Sequence, residues 1–398
     1  MKQEILESNL KDIELFGDFK SHKAEIDAED LGWILQILST NLYSDPIGSL
    51  IREYSSNAWD ANVEAGKKDK PIEVGIITSR DTGSYWYVTD LGPGLSPERI
   101  DTVYRKFGKS TKRDSNEAIG MMGLGKFSGL SYTNEIYITT RVDGTEYQYL
   151  MHKSEGTPQI DLLISVPTDK PNGTTIKINI KDYRDKSTFI SSTRDQLAFF
   201  ENVYFVIDEE PGLNDTFKMV VGKTFTYSSL ENRRHLRLKI GPVSYPLEMN
   251  NLDPQIQQDF MYVKNYRAIA LNFNIGELAI TPNRESILYN KQTIANIEAR
   301  LKEFEAEFLE LYNKNSVEFT NIHDYVRAIS NPIVMIGTES YYMSALLSNQ
   351  NASRKDPLLK DLGIPLRVSY VDEVLCNFKV TSKIQNLSLI HISEPTRP

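Results

Sequence analysis

Three stretches in the first half of the chain space their side chains in ways that could do chemistry. In Leu50-Ile-Arg-Glu-Tyr-Ser-Ser-Asn-Ala-Trp-Asp-Ala61, residues Glu53, Asn57 and Asp60 stand at i, i+4 and i+7. On a helix that is one face, a stripe of carboxylate, amide and carboxylate. Asp90-Leu-Gly-Pro-Gly94 follows a strand-like run. Its aspartate can accept hydrogen bonds at the strand end, and its glycines let backbone turn sharply or pass close to a ligand. Gly120-Met-Met-Gly-Leu-Gly-Lys-Phe-Ser128 opens an apolar helix. Glycines at a helix start expose N–H groups where the helix dipole favours an anion. Between the last two stretches, Arg105-Lys-Phe-Gly-Lys-Ser-Thr-Lys-Arg113 holds five basic residues in nine, a composition suited to a loop near phosphates. The chemistry indicated is recognition of a phosphate-bearing ligand.

Each stretch has a plain alternative: a solvated helix face, a Gly-Pro turn, a lysine-rich surface loop. The Glu-x3-Asn-x2-Asp spacing arises by chance in about one chain in twenty, and the glycine cluster in about one in seven. Two further clusters are decoys. Gly108-Lys-Ser110 and Gly222-Lys-Thr224 imitate the end of a Walker A loop, but Val103 and Phe217 stand where its first glycine is required. Nor does Gly-x2-Gly-x-Gly match the dinucleotide fingerprint.

The elements that must hold these residues follow from periodicity. Ile47, Leu50, Ile51, Tyr54, Ala58 and Ala61 supply the dry side of the Glu53 helix, which should stop near Gly66. An earlier helical period runs from Glu29 towards Ser44-Asp-Pro46, after an N-terminal arm of residues 1–28. Strands are expected at Ile72–Thr78 and Tyr85–Thr89 around a turn at Asp81-Thr-Gly83. Ser96–Phe107 reads as a helix with Ser96 as N-cap and Pro97 in its first position. Strands resume at Glu135–Arg141 and Thr145–His152 around Val142-Asp-Gly144, continue through Ile160–Val166, and end at Gly173–Ile180. That order predicts an α+β fold, a two-layer sandwich with helices covering one face of a mixed sheet. The second half reads as another α+β segment. It has a helical pattern at Thr193–Val206, strands at Phe217–Val221, Leu236–Ile240 and Ala268–Phe273, and a helix from Gln292 to about Tyr312. Residues 315–386 look like the start of a third segment, with apolar pieces at Ile333–Gly337, Tyr341–Leu347 and Leu366–Val371.

Length and composition narrow the class. With 398 residues the chain is too long for one core, so two or three domains are expected. A net charge of −9 argues against a broad nucleic-acid-binding surface and leaves only a local basic groove open. A single cysteine, Cys376, removes a disulfide framework and a cysteine-rich zinc site. The histidines at 22, 152, 235, 323 and 391 lack metal-ligand spacing. With no signal-peptide pattern and no apolar run of about 18 residues, the expectation is a soluble cytoplasmic protein.

The acidic helix, the Asp-x-Gly-x-Gly turn, the Gly-x2-Gly-x-Gly helix start and the Gly173-Thr-Thr strand fall in one order within about 125 residues. Chance rates for the first and third already multiply to about one in a hundred and forty. The set resembles the GHKL ATP-binding family, which includes gyrase B subunits, MutL, the ninety-kilodalton heat-shock chaperone and histidine kinases. The resemblance covers roughly residues 25–185. It implies a Bergerat-type ATP-binding domain at 29–188, a transducer-like domain at 189–313, ATP and Mg²⁺ as cofactors, and ATP hydrolysis. Carried over by position, Glu53 would orient the attacking water and Asn57 would be the magnesium ligand, with Asp60 at the family's further acidic position. Asp90 would accept from the adenine amino group, with Thr174 completing that network and Gly92 and Gly94 passing close to the base. Gly120, Gly123, Leu124, Gly125 and Lys126 would cradle phosphates, under a lid from Lys106 to Arg113 that includes Lys109 and Ser110. Gly276-Glu-Leu-Ala-Ile-Thr-Pro-Asn-Arg-Glu-Ser286 is similar to the chaperone segment that sends an arginine to the γ-phosphate. Arg284 is the candidate, with a salt bridge to Glu277 or Glu285 as the alternative.

A histidine kinase fits less well, since no helix pair with a phospho-accepting histidine precedes the domain. The phrasing at 51–61, 107–113 and 280–286 is similar to the tailed-phage rIIA family, which implies a role in lysis timing and a peripheral association with the host inner membrane. A nucleotide-dependent homodimer through residues 1–28 is also implied. Alternatives are a DNA-linked ATPase of the MutL or topoisomerase kind and an interaction protein that binds nucleotide without hydrolysis. Residues 388–398 resemble translated adapter read-through, so a longer natural chain is expected and 314–387 would be the start of a truncated segment.

Overall fold

The structure is a computed structural model that describes residues 42–79, 83–106, 125–154, 157–212, 219–231, 236–260, 268–314, 333–336 and 339–342. The N-terminal arm, most of the helix expected after Glu29, the segment 107–124 and everything beyond 342 lie outside the described residues. The chain divides into two compact units, one of residues 1–217, 239–245 and 273–288, the other of residues 218–238, 246–272 and 289–398.

The first unit is built on α1 (Pro46–Glu64) and an eight-stranded sheet. Asp45 starts the helix: its carboxylate accepts from Gly48 N at 2.9 Å, and Pro46 occupies a first-turn position where no N–H is needed. Gly66, at φ +69, follows its last turn in the left-handed conformation that favours glycine. The strands are β1 (Ile72–Ile77), β2 (Tyr85–Thr89), β3 (Glu135–Val142), β4 (Thr145–Ser154), β5 (Thr157–Pro167), β6 (Gly173–Asn179), β7 (Val203–Ile207) and β8 (Glu210–Pro211). They lie in the order β5-β4-β3-β6-β2-β1-β7-β8. Every pairing is antiparallel except β1 with β7, so the sheet is mixed.

Helices cover one face. α1 packs on β1 and β2, on the 3-10 helix Gly125–Ser131 and on α3 (Asp185–Leu197). The core joins Leu50, Ile51, Tyr54 and Ala58 of α1 to Val74, Ile76, Trp86, Val88, Ile138 and Ile178 of the sheet, all buried. Inside it, Trp86 Nε1 donates to Thr193 Oγ1 of α3 at 3.2 Å. Ser96 caps α2 (Pro97–Arg99), accepting from Arg99 N, and a π-helical turn at Ile100–Tyr104 continues it.

The α+β sandwich is therefore as the sequence implies, with one local correction. The helical pattern placed at Thr193–Val206 is a helix ending at Leu197 and then strand β7. Val203-Tyr-Phe-Val-Ile207 is a β-branched and aromatic run that pairs in parallel with the buried β1, and sheet packing overrides the apolar spacing that suggested a helix.

In the second unit, β9 (Met219–Val221), β10 (Phe225–Ser228) and β11 (Ile269–Phe273) pair antiparallel. Phe304 and Phe308 of the long helix α4 (Lys291–Lys314) meet Phe225 edge-on, with ring centroids 5.5 and 6.2 Å away. Here the Gly222-Lys-Thr224 decoy has its explanation. Glu307 accepts from Lys223 N and Thr224 N at 2.8 and 2.7 Å and from the Thr224 hydroxyl, so a carboxylate of the same chain fills that turn. No helix among the described residues is long and apolar enough to cross a membrane.

Candidate nucleotide site

The polar stripe of α1 is not a solvated face. Glu53 is 2 % exposed and Asp60 3 % exposed, while Asn57 between them is half-buried and has no hydrogen-bond partner among the described residues. Burying carboxylates is costly unless they are paired. Glu53 is paired: its Oε2 lies 2.7 Å from Arg284 Nη1, and Arg52 Nε stands 3.6 Å from its Oε1. Arg284 therefore bonds neither Glu277 nor Glu285 but the α1 carboxylate.

Arg284 reaches Glu53 from a tight turn. It follows β12 (Ala279–Ile280), has φ +57, and donates its N–H to Thr281 O at 2.8 Å. Its neighbour Glu285 anchors the turn to the start of α1, accepting from Ser44 N, Ser44 Oγ, Asp45 N and Ser49 Oγ at 2.8 to 3.1 Å. Those donors hold the Glu285 carboxyl below its ordinary range against the opposing effect of burial. At Arg284, burial alone would loosen the proton. Glu53, then Tyr245 and Asp60, reverse that and raise the guanidinium above its usual range.

Gly125 closes this end of the site. A Cβ there would collide with Glu53 Oε2, so a larger residue would have to push that carboxylate off its pairing with Arg284. Tyr54, one residue after Glu53, fixes that backbone: its hydroxyl donates to Lys126 O at 2.9 Å and accepts from Gly129 N at 3.3 Å. Lys126 itself turns away. Its buried ammonium donates to Val103 O in the π-helical turn and to Lys106 O just beyond it, at 2.8 and 2.7 Å. Burial lowers that ammonium to about 8.

The second cluster sits at the other end of α1. Asp90 Oδ1 accepts from Gly92 N at 2.8 Å and from Thr174 N at 3.0 Å, and Asp90 N donates to Thr174 O at 2.9 Å. Thr140 braces both sides, its hydroxyl 3.3 Å from Thr174 Oγ1 and accepting from Leu95 N at 2.7 Å. A side chain at Gly92 would meet Ala61 Cβ at 2.6 Å, and one at Gly94, where φ is +80, would collide with Arg141 O. Glycine is needed at both. Tyr104 faces Asp90; burial first and that carboxylate second push its hydroxyl well above the ordinary tyrosine range.

Of the residues expected in the site, Glu53, Arg284 and Gly125 meet directly, and Asp90, Gly92 and Thr174 meet directly. Asn57 and Asp60 lie on the same helix between the clusters. Lys109, Ser110, Gly120, Gly123 and Leu124 lie outside the described residues. Arg52 and Thr140 were not anticipated, Tyr54 was expected only on the dry side of α1, and Glu285 only as an alternative partner of Arg284. Only the hydroxyls of the β3 and β6 strands gave a hint of Thr140.

The fit to ATP and Mg²⁺ rests on these donors. Gly92 N and Thr174 N fix Asp90 at the rim of a glycine-lined turn, suited to a planar base. Asn57 offers a neutral oxygen with no competing partner among the described residues. Magnesium typically takes one or two protein ligands and completes its shell with phosphates and water, so the lack of a three-carboxylate or histidine cluster among the described residues is compatible with it. Along α1, Glu53 and Ala61 stand eight positions apart, a rise of about 12 Å that separates the two clusters.

No family model matches the chain. Similarity to curated proteins is partial. The chaperone protein HtpG of Bacteroides fragilis (strain YCH46) is 29% identical over 178 residues, 40% of this chain and 25% of the relative. HtpG of Rickettsia massiliae (strain Mtu5) is 28% identical over 193 residues, 43% and 30% of the two chains. HtpG of Rickettsia bellii (strain RML369-C) is 27% identical over 187 residues, 42% and 29%. The match therefore spans less than a third of each relative's length. It agrees with the GHKL resemblance at a coarse level.

Proposed function

We propose that the chain binds ATP with Mg²⁺ and hydrolyses it slowly, as a GHKL-type ATPase that works as a conformational switch. The observation that carries this is the arrangement along α1. A doubly held carboxylate in a glycine turn stands at one end, and a buried carboxylate with an arginine at the other, with an amide between them that has no partner among the described residues.

In this reading Asp90 accepts the adenine amino hydrogen, and the glycines admit the flat base. Glu53 holds the attacking water through Oε1, which has no hydrogen-bond partner among the described residues. Arg284 orients Glu53 through Oε2 and stands where charge on the terminal phosphoryl group would be met by a planar donor. Asn57 would ligate the magnesium, and Gly125, Lys126 and the residues before them would hold phosphates through backbone N–H groups. Magnesium, when bound, would offset phosphate charge. Residues 29–188 would then be the nucleotide domain and 189–313 the transducer-like part.

The finer role proposed is that of an rIIA-like phage protein acting on lysis timing, peripheral at the host inner membrane and dimeric with nucleotide bound through residues 1–28. A second reading, nucleotide binding without turnover, draws support from the same ion pair, because Arg284 occupies one oxygen of the base. Steady-state hydrolysis separates the two. Glu53→Ala should abolish phosphate release while leaving Mg-ATP affinity within about threefold. Phosphate release unchanged in that variant would remove Glu53 from the mechanism, and none in the parent would leave the second reading.

A further inference from the structure

Outside the recognised motifs, one buried amide grips the loop that carries Asp90. Asn62 lies in the last turn of α1 and is 1 % exposed. Its Oδ1 accepts from Leu91 N at 2.7 Å, and its Nδ2 donates to Lys70 O at 3.1 Å. The other side of the same residue is held too: Lys67 Nζ donates to Leu91 O at 2.8 Å. Leu91 is thus clasped at its N–H by Asn62 from the last turn of α1 and at its carbonyl by Lys67 from the turn that follows the helix. It sits between Asp90 and Gly92, whose N–H fixes Asp90 Oδ1.

We infer that Asn62, seconded by Lys67, is a positioning residue that sets adenine specificity by fixing the Leu91 backbone and with it the direction of the Asp90 carboxylate. The inference rests on the nucleotide reading above. Asparagine suits the task because the position needs an acceptor for Leu91 N–H and a donor for Lys70 C=O at once. Leucine, close in volume, supplies neither, and aspartate supplies only the acceptor. An Asp90 carboxylate aimed at the base accepts from the amino group of adenine but meets the carbonyl of guanine at the same position. Any slackening of the Leu91 clasp therefore falls on the choice between bases. It leaves the grip on phosphates, made at the Glu53 end of α1, alone.

The test is calorimetric titration of Mg-ATP, Mg-GTP and Mg-tripolyphosphate into the full chain and into Asn62→Leu, Asn62→Asp and Lys67→Met, with a thermal melt of each. Asn62→Leu should weaken ATP at least about tenfold, the worth of a buried hydrogen bond that is lost with its partner left unmet. Its GTP and tripolyphosphate affinities should stay at parental values, so the preference for ATP over GTP collapses. Asn62→Asp should keep most of that preference and lose stability. Lys67→Met, at a half-buried position, should fold and lose part of the preference.

A merely structural role would lower the melting temperature and leave the ATP-to-GTP ratio of the folded protein intact. That result in Asn62→Leu, or in Lys67→Met should Asn62→Leu fail to fold, overturns the inference. A parent that binds tripolyphosphate and ATP equally well would overturn the adenine reading itself, which is a different outcome from a parent that prefers ATP and a variant that prefers it as strongly.

Discussion

The two oxygens of Glu53 have different surroundings. Oε2 is in contact with Arg284, and among the described residues Oε1 has only Arg52 Nε at 3.6 Å, beyond hydrogen-bond length. Asp60, also buried, adds its charge to the environment of Arg284. Two carboxylates and two guanidiniums thus balance one another in a region where an unmatched charge would be costly. Arg284→Met and Glu53→Gln should each destabilise the fold by about 2–4 kcal/mol, moderated by the Arg52 that remains beside the site. The double variant should lose less than their sum by at least about 1 kcal/mol. Denaturant melts of the four proteins measure that difference, and strict additivity would mean that the two side chains are not coupled. Glu53, Asn57, Asp60, Asp90 and Arg284 could be picked out as candidates from the sequence, because each motif is short and local. The partner of Arg284 was not. Periodicity offers neighbours such as Glu277 and Glu285, whereas the bond is made to a residue 231 positions away.

At the scale of elements, Lys126 joins two pieces of the site. It begins as a phosphate-cradling candidate by its place in the glycine cluster, yet its ammonium is spent on the carbonyls of Val103 and Lys106, beside the rings of Tyr104 and Phe127. Sequence can place a lysine on a helix start but cannot say which way it points. The consequence is a pH dependence with a definite sign. Folding lowers this amine from 10.5 to about 8, so between those values the unfolded chain binds the extra proton and stability rises with pH. The penalty of burying the charge is fully present below about pH 8 and is relieved above it. Compared with Lys126→Met, the parent should gain stability steadily from pH 8 to 9.5, a range below the titration of ordinary tyrosines. Melts in a pH series check this, and a constant difference would mean that the ammonium is not held in a dry place. The misplaced helix near residue 200 has the same root, since a run of Val, Tyr, Phe and Ile is strand or helix according to the sheet that receives it.

Across the whole molecule, the described site residues share one unit: Glu53, Asn57, Asp60, Asp90, Gly92, Gly94, Gly125, Lys126 and Thr174 from its first segment, Arg284 from the return segment 273–288. That unit carries the mixed sheet with α1 on it, and α1 spans the distance between the two clusters. The sandwich was readable because its strands alternate and its turns are marked by glycine. The return of residues 273–288 to the same unit leaves no periodic trace. The claim on which the rest depends is that the Asp90 end of α1 holds adenine. Calorimetric titration of Mg-ATP into the parent and into Asp90→Asn tests it most directly, with a thermal melt of both to show that each is folded. The account predicts saturable binding by the parent and a loss of at least about a hundredfold in Asp90→Asn, as removal of a charged hydrogen-bond acceptor from a buried contact requires. Equal affinity in the two folded proteins, or no binding by a folded parent, would contradict it.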